Sequence, residues 1–411
     1  MKIHQKSTRQ TFKWLMLAGL MAATGGIHAA VDKVTTSTLE PIKTPSAPIP
    51  TEALLDVGIP PLDDGLWLTD EDDTVFPEVR YAESIYFSNQ LAKIMEKSGA
   101  WGAIRVIPKT DVVMDVYLTG TIMQSDGETL DIEIEVFDTS GKNWLKKRHK
   151  QTVGKYTYDR RLKITADPFQ NLYTEIANDV LEAREKISNE EAVRLRQISS
   201  LRFARDFSPE AFDDYITESR DGILTIERLP AENDSILQRV EKIRERDYLY
   251  VDTMQDYYDT FSRQMHVPYQ EFRRVSYDSV VKARQLKKRG NRQMIAGVAA
   301  IIAGIYGRTQ ASSWMQLDGS MATAAAGGYV LKQGLDTKQK AAAQTERLAE
   351  MGSSLEAVIA PQVIALEDRT ITLTGTVNAQ YEQWRELLYR IYEQERTIPG
   401  VETAQASGNI N

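Results

Sequence analysis

No cysteine occurs among the 411 residues, and histidine occurs four times. The first absence excludes disulfides, thiolate metal centres and a cysteine nucleophile, so the fold must rest on buried apolar surface. It also excludes lipid attachment through an N-terminal cysteine. No glycine-rich phosphate loop follows a strand, and no nucleophile elbow is present. No apolar run approaches the ~20 residues that a membrane span requires. Excess positive charge is missing as well: the formal net charge is −8. Such a chain offers little to nucleic-acid phosphates, and no nucleic-acid partner is expected.

The amino end has a pattern of its own. Lys2, Lys6, Arg9 and Lys13 precede the apolar run WLMLAGLMAATGG, and IHAA follows. This charged, then apolar, then small-residue order predicts a secretory signal peptide over residues 1–29, cleaved near Ala29 or Ala30. A periplasmic location, with association to a membrane as an extension, is the expectation. Cleavage would remove four positive charges and leave the mature chain more acidic.

Residues 30–76 contain six of the 14 prolines, an acidic DEDD at 70–73 and few large apolar side chains. The composition predicts a disordered, acidic, proline-rich linker. Order is predicted from Pro77. Ile85, Leu91, Ala92 and Met95 recur at helical spacing up to Ser98-Gly99, and the short strand AIRVI follows. The period then becomes two. Met114, Val116, Leu118, Gly120 and Ile122 alternate with polar residues, then Leu130, Ile132, Ile134 and Val136 do so after QSDGET. A third strand follows DTSGKN. Asp167-Pro168 starts a helix whose stripe, Phe169, Leu172, Tyr173, Ile176, Ala177, Val180 and Leu181, is predicted to cover this antiparallel meander.

This run, DVYLTGTIMQSDGETLDIEIEVFDTSGKNW with its preceding helix and strand, resembles the transport-auxiliary and curli-assembly-like envelope domains of Gram-negative outer-membrane proteins. The resemblance implies a non-catalytic, partner-binding α+β domain at about 77–187. The chain departs from the lipoprotein members in lacking the lipidated cysteine.

Residues 188–350 read as helical. SNEE at 188–191 is a capping box, Ser208-Pro209 opens a second helix, and Asn233 to Ser235 precede a third. Its stripe runs through Val240, Ile243, Tyr250, Met254, Tyr257, Phe261 and Met265. Pro268 is predicted to interrupt the helix before Phe272, Val275, Val280, Ala283 and Leu286 resume it. Then come two short apolar pieces within 294–331. Each carries small residues four apart: Ala296, Ala300, Gly304 and Gly307 in the first, Ala322, Ala326 and Gly328 in the second. Such positions let helices approach closely, so a packed helical hairpin is expected, against the body of the protein, a sister subunit or a membrane. Lys287, Lys288, Arg289 and Arg292 precede it and would meet anionic headgroups in the last case.

Over 351–400 a hairpin and an amphipathic helix give a small β-β-α unit, and 401–411 is expected to be a flexible tail. The pattern ITLTGTVNAQYEQW, at about 362–396, resembles the BON domain, an envelope module linked to binding at membranes or polymers.

The sequence thus predicts an α+β multidomain protein: a meander with helices, a long helical middle and a β-β-α end. The expected function is non-enzymatic, an exported assembly scaffold or transport accessory. Its expected partners are envelope proteins, further copies of itself and a membrane surface, and no cofactor or metal is expected. Two alternatives stand beside it. One is a periplasmic ligand or polysaccharide binder, for which the tyrosines of DYLYVDTMQDYYDTF would line a groove. The other is a hydrolase using paired carboxylates such as Asp213 and Asp214 or those of DEDD. His149 and His266 are expected at the surface.

Overall fold

Alternation in the two longest hairpin strands sets the architecture. In the computed structural model, which describes residues 33–34, 39–68, 75–154, 156–159, 166–288, 362–366, 369–374 and 376–397, β3 (Val116–Ser125), β4 (Thr129–Asp138) and β5 (Asn143–Thr152) form an antiparallel meander. Leu118 faces Val136, Gly120 faces Ile134 and Ile122 faces Ile132, so the predicted apolar residues share one buried face. The sheet is mixed, however. β1 (Val57–Ile59) lies parallel to β3 on one side and to β2 (Ile104–Val106) on the other, giving the order β5-β4-β3-β1-β2.

β1 corrects the disordered-linker reading over its described part, residues 39–68. Leu55, Val57, Ile59 and Leu62 are buried in the core. Each contributes roughly 1.5–3 kcal/mol, enough to offset the entropy of ordering a short strand. The proline-rich stretch ahead of it is also fixed. The amides of Glu40, Lys43 and Ser46 donate to Asn171 Oδ1, Asn178 Oδ1 and Glu185 Oε1 at 2.9, 2.8 and 2.7 Å. Three residues of extended chain advance about 9–10 Å, and seven helical residues advance about 10.5 Å. The two rises therefore match, and the segment lies as a strap along its helix.

That helix is α2 (Gln170–Arg184), whose predicted stripe is buried throughout. It packs on β5 and on α1 (Pro77–Glu96), which ends where Gly99 takes φ +65°. At the start of α3 (Asn189–Phe207) Ser188 caps the helix, its Oγ accepting from the Glu191 amide at 3.1 Å. The helical middle is then broken by a small hairpin, β6 (Ile216–Glu218) and β7 (Leu224–Ile226), which periodicity did not indicate.

From Ser235 to Lys288 runs α4, a single helix of 54 residues. Pro268 lies inside it, contrary to the predicted interruption. Proline removes one backbone donor and crowds the preceding turn. Here Met265, Tyr269 and Phe272 on the flanking turns are buried and hold the helix in place. α4 packs on α1, β2 and α3, so the boundary expected near residue 187 is crossed by a continuous core. The C-terminal elements match expectation: β8 (Gln362–Leu366) pairs antiparallel with β9 (Arg369–Leu373), and α5 (Val377–Thr397) packs on α4.

Candidate functional site

Polar residues converge where the sheet, α3 and α4 meet. Asp56 precedes β1 and Asp115 precedes β3, so parallel pairing brings them together. The amides of Asp115 and Val116 donate to the Asp56 carbonyl at 3.2 and 3.1 Å, and the Asp56 amide donates to Asp115 Oδ2 at 3.0 Å. From α3, Ser199 Oγ donates to Asp115 Oδ1. From α4, Arg244 Nη2 donates to Ser199 Oγ at 3.0 Å and to the Tyr248 hydroxyl at 2.8 Å, which in turn donates to the Val113 carbonyl at 3.0 Å. Burial raises the Asp115 carboxyl above its usual range, while the Ser199 hydroxyl and Arg244 work against that rise.

This chain of bonds floors a cleft of about 400 Å³. Glu52, Glu241 and Glu245 stand at its mouth with Arg196. Ser199 is wholly buried and committed both as donor and as acceptor, with no imidazole between it and Asp115. The arrangement therefore fastens three elements together beneath a cleft lined by acidic groups. A serine nucleophile needs an open path to its oxygen and a base poised to take its proton.

A second polar cluster joins α4 to the α+β layer. Arg273 Nη1 lies 3.0 and 3.1 Å from the two carboxylate oxygens of Asp167, and the side chains are 1% and 4% exposed. Tyr86 and Gln270 also donate to Asp167 Oδ2, at 3.2 and 2.7 Å. The guanidinium sits 4.1 Å from the Tyr269 ring centre and 4.8 Å from that of Phe169. Asp167 was legible as a helix start, and its Oδ1 does accept from the Phe169 amide at 2.9 Å. Its role as partner to Arg273 was not. The available signal was an arginine one turn beyond Tyr269 on the apolar stripe.

Most of the sequence-predicted site lies outside the described residues. Ala296, Ala300, Gly304, Gly307, Ala322, Ala326, Gly328, Arg289 and Arg292 lie outside the described residues, as does DEDD at 70–73. Lys287 and Lys288 form the last turn of α4. Asp213 and Asp214 are exposed on a short 3₁₀ turn. The tyrosines of α4 serve packing: Tyr250 stacks on Trp384 with ring centres 4.8 Å apart, Tyr258 is buried, and Tyr248 anchors Arg244. No helix among the described residues is long and apolar enough to cross a membrane.

His149 departs from its expected surface position, whereas His266 is half-buried. His266 lies within α4 with Nδ1 2.9 Å from the Tyr86 hydroxyl. His149 is 2% exposed, and its Nε2 lies 2.6 Å from Asp179 Oδ2. On β5 it shares its face with Gln151, which accepts from the Leu172 amide at the start of α2. A strand dominated by Lys and Arg conceals an inward-facing alternate set.

No family model, curated protein or solved structure matches the chain.

Proposed function

We propose that the protein is an exported, non-enzymatic envelope scaffold or transport accessory that works through protein contacts and a membrane-proximal segment. The observation that carries this reading is the continuity of α4. Its 54 residues extend about 80 Å. Near its start it holds α5 through Asp247, which accepts from Tyr381 and Trp384 at 3.2 Å each. Further along it is locked to the α+β layer by Arg273 and Asp167. It ends at Lys287 and Lys288, directly before Arg289, Arg292 and the small-residue pieces of 294–331. A long helix, fixed at two points, whose sequence leads on into a basic, small-residue segment suits a scaffold. The resemblance of 77–187 to partner-binding envelope domains points the same way.

Light scattering on the purified full chain, with Ala300→Leu and Gly304→Leu beside it, tests the reading. The expected result is an oligomer that either substitution weakens. A wild-type monomer that also stays free of anionic vesicles would remove it.

The 400 Å³ cleft favours a second reading, a binder of a polar solute at the Glu52, Glu241 and Glu245 mouth. Thermal-shift screening with cell-wall and polysaccharide fragments separates the two.

A further inference from the structure

His149, Glu175 and Asp179 each offer a ligand atom, and these atoms lie within 4.8 Å of one another. The geometry has a simple origin. Glu175 and Asp179 are four residues apart on α2 and share a face, and β5, which packs on α2, points His149 at that face.

We propose that His149, Glu175 and Asp179 form a binding site for a borderline first-row divalent cation of the Zn²⁺ or Co²⁺ class. One imidazole nitrogen with two carboxylates, and no sulfur, suits these ions better than Cu⁺, which prefers thiolates and thioethers. It also suits them better than Ca²⁺ or Mg²⁺, which favour all-oxygen shells. Two negative charges and a neutral ring match a divalent ion, and three protein ligands leave room for water on the exposed side.

Two further observations bear on the site. His149 Nδ1 is buried without a hydrogen-bond partner. No acceptor at Nδ1 holds the ring proton there, so an ion at Nε2 must displace the proton that Nε2 shares with Asp179. The second is a resident cation: Lys147 Nζ lies 2.6 Å from Asp179 Oδ2. The lysine is 44% exposed, so it can swing into solvent when an ion enters.

The test is titration of untagged full-length protein with Co²⁺, read by visible absorption, and with Zn²⁺, read by calorimetry. One equivalent is expected to bind. His149→Ala should abolish binding, and Glu175→Gln should weaken it by more than about tenfold, the loss that even outer-shell partners bring. Lys147→Ala should tighten it by about two- to fivefold, because a competing exposed charge is removed. Should His149→Ala fail to fold, the other two variants carry the test, since both side chains reach solvent. Absence of stoichiometric binding overturns the site. So does binding that Glu175→Gln and Lys147→Ala leave unchanged.

Discussion

Arg273 and Asp167 are 106 residues apart in sequence and 3.0 Å apart in space, with both side chains almost fully buried. Removing one partner of such a pair strands a charge in the interior, at a cost of about 3–5 kcal/mol. Arg273→Met should therefore destabilise by that amount. Asp167→Asn combined with Arg273→Met should recover a large part of it, because no net charge is left buried. Urea unfolding of the single and double variants measures both.

Asp247 gives a pH dependence with a definite sign. Burial raises its carboxyl to about 6, with Arg385, Tyr381, Trp384 and Arg244 opposing the rise. The folded chain thus holds this proton more tightly than the unfolded chain, whose ordinary value is about 3.8. The penalty is complete above pH 6 and is relieved as pH falls towards 4. Relative to Asp247→Asn, the wild type should gain about 2 kcal/mol between pH 7 and pH 4. Amide exchange in α5 at several pH values, compared between the two proteins, checks this. A flat difference would show that Arg385 compensates the carboxylate fully.

Pro268 sits in a helix that does not need it. Pro268→Ala restores a backbone donor and removes the ring's crowding of the preceding turn, so it should stabilise the protein by about 1–3 kcal/mol. Thermal unfolding is sufficient to detect the change. Destabilisation would mean that the ring's own packing outweighs the missing bond.

Gly127 has the opposite character. A Cβ placed there would lie 2.1 Å from the Arg273 carbonyl oxygen and 2.2 Å from the Tyr277 amide nitrogen. These are backbone atoms of α4 and cannot rotate away. Gly127→Ala should push the helix off the β3–β4 turn and cost about 1–3 kcal/mol. The Tyr158–Gly127 hydrogen bond of 2.7 Å would be strained, and loss of amide protection around Tyr277 would report it.

The strap along α2 can be loosened selectively. Asn178 accepts from the Lys43 amide at 2.8 Å and donates to the Pro41 carbonyl at 3.2 Å. Asn178→Ala should cost about 1–2 kcal/mol locally. It should also open residues 39–49 to proteolysis while leaving global unfolding nearly unchanged.

Legibility in the sequence follows the range of the signal. Local signals were read correctly: the alternation that pairs Ile122 with Ile132, the Ser188 cap and the hairpin before Val377, while the helix expected from Asp167-Pro168 begins slightly later, at Gln170. What was missed depends on distant partners. Val57–Ile59 is only three residues long and becomes a strand because Val116 and Ile104 flank it. The prolines at 41 and 45 read as disorder because their anchors, Asn171, Asn178 and Glu185, lie more than a hundred residues later. His149 was hidden for a related reason. Its neighbours Lys146, Arg148 and Lys150 face solvent, and period-two burial is hard to see when the outward set is this charged. The polar cleft needed Asp56, Asp115, Ser199 and Arg244 from four separate stretches, and no spacing rule links them.

The placement of Val57–Ile59 between β3 and β2 has a kinetic consequence. Both of its parallel neighbours are made later in the chain, so this strand has no ladder to join until residue 116 has emerged and turned back. Parallel, non-local pairing of this kind slows folding, because loop-closure entropy is lost before any contact is gained. Refolding should accordingly be limited by docking of the amino-terminal strand into a meander that has already formed, with the space between β3 and β2 standing open until it arrives.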